Sequence, residues 1–328
     1  MIQSTYFVDD LHGWVVATTV ATPHGDTDSL LFKSADGGRT WAKEAVVAHD
    51  QPVGGLQFAD SLHGWAFAGG LITTADGGVT WRLATLPDGT HGDGYLQEIG
   101  PSSGWIAGGN ATTLYATTDD STWRASAPLP GGQRVVAIDF LDLTRGWVLG
   151  WAGGTGPTNP VVDATSDGGA TWQQLSTATP HDNNLCFSDV NNGWRMGGTA
   201  STPNTGSTNR QVNGLQGEAA HTTDGGQSWS TVTMPAGLGI FQCLAAPTPE
   251  VAWVFGIDSN QDGFILWTGD GGQTWRVRAM PAQGGAWYIA RQARSDGHIW
   301  GTGFDGAEPS VAASADGGQS WTTARPAG

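Results

Sequence analysis

The chain has 328 residues, 38% hydrophobic and only 13% charged, with 30 Asp and Glu against 14 Lys and Arg. A formal charge of −16 with two lysines (Lys33 and Lys43) excludes a nucleic-acid surface, since phosphate binding needs Lys and Arg density. No run approaches the roughly 18 apolar residues of a membrane helix, the glycines keep no three-residue period, and the many tryptophans oppose disorder.

The first residues, Met-Ile-Gln-Ser-Thr-Tyr-Phe, show no charged segment followed by an apolar run, so no signal peptide is read. A cytoplasmic location stays open beside an extracytoplasmic one for a trimmed chain. Cys186 and Cys243 are too few for a disulfide framework and match no zinc spacing. They are expected as free buried thiols, with pairing left open.

Two signatures recur along the chain. Unit one (1–46) carries His12-Gly-Trp14 and then Ser34-Ala-Asp-Gly-Gly-Arg-Thr-Trp41. Unit two (47–88) repeats them as His63-Gly-Trp65 and Thr74-Ala-Asp-Gly-Gly-Val-Thr-Trp81. Unit three (89–130) has Ser103-Gly-Trp105 and a box one residue short, Thr118-Asp-Asp-Ser-Thr-Trp123. Unit four (131–179) has Arg145-Gly-Trp147 and a box ending at Trp172, and unit five (180–236) has Asn192-Gly-Trp194 and Trp229. In units six (237–282) and seven (283–328) the first signature weakens to Ala252-Trp253 and Ile299-Trp300, while the boxes end at Trp275 and Trp321.

The box tryptophans are spaced by 40, 42, 49, 57, 46 and 46 residues, which means seven units. In unit two, Gly55–Ala59, Gly64–Ala68, Leu71–Thr74 and Trp81–Thr85 read as strands A to D, separated by Gly/Asp turns. Four short strands per unit at this period predict an all-β fold, a single seven-bladed propeller over 1–328 without substantial helix. Because the chain starts on a strand A and ends after a strand D, the ring is expected to close without strand exchange.

The box resembles the Asp-box, or BNR repeat, of sialidases and other propellers. The pairing of Gly-Trp with the box across all units is most similar to the photosystem II assembly/stability factor-like family. That resemblance implies a binding or assembly role, and in photosynthetic members a basic patch that meets a partner subunit. Here the arginines are few and scattered.

Box aspartates Asp36, Asp76, Asp119, Asp167, Asp224, Asp270 and Asp316 are read as turn-makers on one rim, since Asp accepts backbone N–H bonds across a turn. The opposite face collects length variation: Thr18–Ser29, Trp151–Pro160 and Thr199–Glu218 are long B–C connections. A ligand-binding face is expected there from Tyr95, Gln133, Arg134, Trp151, Asn183 and Trp287, aromatics beside carboxamides. Trp267, the third tryptophan outside the repeat, stands where other units have Lys33, Thr73 or His221, a position that edge packing explains.

Glu98 aligns with Phe7, Phe58, Phe140 and Phe187, and a register shift that turns it into water is the preferred reading. Should the chain be an enzyme, Glu98, Asp93, His91, His181 and Asp182 are the catalytic candidates for a glycoside hydrolase or lyase at the channel mouth. The leading expectation is a non-catalytic, monomeric binding propeller for a protein segment or glycan, with no required cofactor. Asp258-Ser-Asn260-Gln-Asp262-Gly263 matches the first half of a calcium loop, but Gly269 stands where the bidentate Glu belongs. It is a candidate for structural calcium.

Overall fold

The computed structural model describes residues 1–19, 27–89, 95–108, 112–151, 160–179, 181–203, 212–281, 287–306 and 308–326. They form seven antiparallel four-stranded sheets, each made of consecutive strands, over 2–49, 54–83, 96–125, 134–177, 182–231, 238–279 and 287–324. The strands of each blade are A to D in chain order. The A strands of neighbouring blades touch around a common axis, so the sheets are propeller blades. One 3-10 turn, Pro130–Gly132, is the helical content of the described residues.

Local chemistry explains both signatures. In the Asp-box of blade 2 the Thr80 amide and hydroxyl donate to Asp76 at 2.9 and 2.6 Å. Thr74 Oγ1 donates to Asp76 at 2.8 Å and accepts from the Gly78 amide at 3.0 Å. Gly77 has φ +77°, and a Cβ there would lie 2.9 Å from Ser61 O, so only glycine fits. Its N–H donates to Leu62 O at 2.8 Å, which ties the C–D turn to the A–B turn on the same rim.

The Gly-Trp signature answers to the A strand. A Cβ on Gly13, Gly64, Gly146 or Gly193 would enter the ring of Phe7, Phe58, Phe140 or Phe187, at 2.1–2.6 Å. The tryptophan then stacks on the phenylalanine of the following blade: Trp14 on Phe58 and Trp147 on Phe187, both at 3.7 Å, and Trp105 on Phe140 at 4.2 Å. In blade 7 the partner of Ile299 is Ala293, and without a phenylalanine ring to clear, the glycine is relaxed.

Blades are also clasped along the axis by polar side chains. Gln57 accepts from the Glu98 amide and donates to Leu96 O, both at 2.9 Å. Gln97 likewise accepts from the Phe140 amide at 2.8 Å and donates to Phe140 O at 3.1 Å, while Asp139 accepts from the Phe187 amide. The ring closes without strand exchange, as expected. Gln292 clasps Phe7, Phe7 stacks on Trp300 at 4.3 Å, and Trp300 Nε1 donates to Gly37 O at 3.2 Å.

Two expectations are corrected here. Cys186 and Cys243 are not free thiols but form a disulfide. Cys186 precedes Phe187 as Gln57 precedes Phe58, so the bond joins blades 5 and 6 where other blades use a polar clasp. The ends of the unit-five excursion are not irregular: strands Gly193–Pro203 and Val212–Thr222 pair antiparallel, from Gly193 with Thr222 to Pro203 with Val212, while 204–211 lie outside the described residues.

Candidate functional site

On the face opposite the Asp-boxes the channel opens into a funnel of about 570 Å³, walled by the A strands of blades 3 to 7. Its floor and sides are largely apolar, with Val136, Leu185, Ile240, Phe241, Phe255 and Ile289 among them. Asn183, Asn184, Gln242 and Gln261 supply carboxamides. The charge pattern decides its character. Arg291 is the one charged side chain among the described lining residues, in a chain with 30 carboxylates.

Arg291 projects into the channel, held by an Nε–H bond to Thr302 Oγ1 at 3.2 Å. The protein surrounding it lowers its pKa by desolvation. A guanidinium so placed favours an anionic group, since the apolar walls strengthen the pairing. Tyr95 stands at the mouth, 40% exposed. Arg291, Gln242 and Gln261 escaped the sequence reading, which weighed loops more heavily than A strands. The available signal was Arg291 itself, in mid-strand where the other units are neutral or acidic.

Of the described members of the anticipated face, the funnel brings together Tyr95 and Asn183. Gln133 is a correction: it is buried, 1% exposed, and its Nε2 donates to Pro130 O at 2.7 Å. It lies against Asp163, likewise buried, whose pKa burial pushes up to about 7. Trp151 is another, for it packs against the core between blades 4 and 5. Arg134 is exposed, paired in register with Trp151 and outside the funnel lining. Trp287 opens strand A of blade 7. The side chain of Trp287, with His91 and Asp93, lies outside the described residues.

The described catalytic candidates, Glu98, His181 and Asp182, do not assemble. Asp182 is buried, accepts from Arg195 Nη1 and from the Thr179 amide, both at 2.8 Å, and is thereby a structural group. His181 Nδ1 lies 3.4 Å from Glu218 Oε1, on the rim. Glu98 corrects the preferred reading: it pairs with Gly104 as Phe58 pairs with Gly64, so no shift carries it into water. Both carboxylate oxygens are buried without a hydrogen bond, and the neighbouring Ala59 N–H is already donated to His63 O at 3.1 Å. Burial, with Asp120 and Asp60 nearby, pushes its pKa up to about 10. It is a neutral acid away from the funnel lining.

Two groups merit testing as cation ligands. Asp258 Oδ1 accepts from the amides of Asn260 and Asp262 at 2.8 and 2.9 Å, so the calcium-like segment is an Asx hairpin closed on its own backbone. Asp10, Asp296 and His298 meet at the seam of blades 7 and 1. There Arg294 Nε, 3.1 Å from Asp10, supplies a counter-charge of its own.

No family model matches the chain. The photosystem II assembly lipoprotein Ycf48 of Synechococcus sp. (strain CC9902) is 24% identical over 180 residues, 54% of this chain and 46% of that protein. A structure of YCF48 bound to D1 peptide superposes with a TM-score of 0.63, at 21% identity, over 94% of this chain and 91% of the other. The chain shares the propeller fold of YCF48. The YCF48 of Cyanidioschyzon merolae agrees, with a TM-score of 0.60 at 16% identity over 93% of each chain. The sequence match thus spans about half the length of the curated Ycf48, whereas the fold match takes in nearly the whole Ycf48-like ring. No helix among the described residues is long and apolar enough to cross a membrane.

Proposed function

We propose that this chain is a non-catalytic binding propeller that receives an extended protein segment in the funnel. The observation that carries this reading is the lining: apolar walls, carboxamides that can meet a peptide backbone, and Arg291 with no carboxylate among the described lining residues. An extended segment needs such a groove of alternating apolar and hydrogen-bonding contacts. The likeness to a YCF48 that binds D1 peptide supports the same class of partner. Acid–base hydrolysis would need carboxylates open to the substrate, and none of the described lining residues is one.

The test is fluorescence anisotropy with short, apolar, labelled peptides ending in either a free carboxylate or an amide. The carboxylate form should bind more tightly, and Arg291→Ala should remove that preference, on the order of tenfold. Leu185→Lys should abolish binding of both. Failure of every peptide, with turnover of a soluble glycan, would replace this reading by the channel-mouth enzyme.

A further inference from the structure

A propeller contains its own controls, because the same backbone position recurs in every blade. At the Asp-box rim the seams between blades form shallow clefts beneath the Gly-Trp tryptophan. The seam of blades 4 and 5 is lined by Trp147, Ala164 and Gln173, and that of blades 7 and 1 by Trp300, Ala313 and Thr322. The register makes these equivalent positions: Trp147 pairs with Ala164 and Ala164 with Gln173, as Trp300 pairs with Ala313 and Ala313 with Thr322. At the two strand positions beside the tryptophan both seams carry small or neutral side chains, Ala with Gln or Thr, whereas blades 2 and 3 place Arg82 and Arg124 at the second of them, beside Thr73 and Ala116.

The seam of blades 6 and 7 adds a tryptophan and a second arginine to such an arginine. There Trp253 pairs with Trp267, and Trp267 with Arg276, with Arg278 two residues further along the same strand. Together they line a cleft of about 280 Å³, with Ser295 and Gln319 across the seam. Arg276 lies over the Trp267 ring, 4.9 Å from its centroid. Arg278 donates to the carbonyls of Asp316 and Gly317 at 3.2 and 3.1 Å. By taking Gly317 O it occupies the acceptor that the equivalent Trp14 and Trp147 use at Gly77 and Gly225, and Trp253 Nε1 is left buried without a partner.

The charges are the deciding feature. Among the described residues neither Arg276 nor Arg278 has a carboxylate at ion-pair distance, although the chain carries 30 acidic residues. The two acids that line the cleft are engaged elsewhere. Asp296 pairs with His298 at 3.0 Å, and Asp316 accepts from Ser314 at 2.9 Å and Ser320 at 2.6 Å within its own box. Two guanidiniums without a carboxylate partner among the described residues, one over an indole and the other bonded only to backbone carbonyls, in a cleft with room for one sugar ring are poorly explained by packing. Edge packing would account for Trp267 alone.

We propose that this cleft binds an acidic sugar residue, a hexuronic acid, independently of the funnel. Its carboxylate would be held by Arg276 and Arg278, the apolar ring face would lie against Trp267, and Ser295 and Gln319 would meet hydroxyls. Arginine suits this task because its fork matches a carboxylate, and Trp suits a pyranose face.

The experiment is calorimetric titration of the intact chain with trigalacturonate, galactotriose and sodium sulfate. Trigalacturonate should bind, galactotriose should bind at least about tenfold more weakly, and sulfate should compete without matching its affinity. Arg276→Gln and Trp267→Ala should each weaken trigalacturonate on the order of tenfold, with melting temperatures checked to confirm folding. Arg291→Ala, in the funnel, should leave it unchanged. Equal binding of sulfate and trigalacturonate would reduce the cleft to a simple anion site and overturn the proposal. Equal binding of both trisaccharides, or no heat with folded protein at millimolar ligand, would also overturn it.

Discussion

Gln292 holds both backbone groups of Phe7: its Oε1 accepts from the Phe7 amide and its Nε2 donates to the Phe7 carbonyl, each at 2.8 Å. The two residues lie 285 positions apart, and this clasp stands at the seam where the chain's ends meet. No strand crosses that seam.

Gln292→Ala should therefore cost about 1–3 kcal/mol, because it leaves a part-buried N–H and C=O unpaired. Urea unfolding would measure the loss. Hydrogen exchange should locate it in strand A of blade 1 and not in blade 4, where Gln97 performs the same task for Phe140.

Glu98 has a raised folded pKa, so the native state holds a proton that the unfolded chain releases. Stability then falls as pH rises from the unfolded value near 4.5 towards about 10. Glu98→Gln should remove that slope and raise the melting temperature more at pH 8 than at pH 5. Glu98→Phe should go further by restoring a ring for Trp65, which now donates to Asp120 Oδ1 at 2.7 Å. Thermal melts at both pH values decide the matter, and a flat difference would show that Glu98 is ionised.

The box aspartates titrate the other way. Hydrogen bonds from Thr80 and Thr171 hold Asp76 and Asp167 down to about 2. The stability they confer is complete above the unfolded carboxylate pKa and is lost as pH falls from about 4 to 2. Asp76→Asn should destabilise at neutral pH and reduce the acid sensitivity, measured by the midpoint of acid unfolding.

Reduction of Cys186–Cys243 should lower stability by about 2–4 kcal/mol. The Cys186→Ala, Cys243→Ala variant should match the reduced wild type and become insensitive to dithiothreitol. Mass spectrometry under non-reducing conditions verifies the bond itself.

Blade number, strand order and the rim of Asp-boxes were legible in the residues, because each repeat carries its own local reasons. Asp-Gly-Gly makes its turn with bonds inside eight residues, and Gly-Trp is dictated by one ring on the adjacent strand. Alignment put Glu98 in line with the phenylalanines, but the preferred reading turned it into water, and the pairing with Gly104 was needed to place it as a buried acid. What lies between blades was hidden. The disulfide joins residues 57 positions apart, the funnel gathers side chains from five blades, and the meaning of Arg276 and Arg278 depends on what faces them across a seam. Local turn chemistry is set by neighbours in the chain. Pairing, charge compensation and cavity shape are set by neighbours in space, and only the closed ring determines which residues those are.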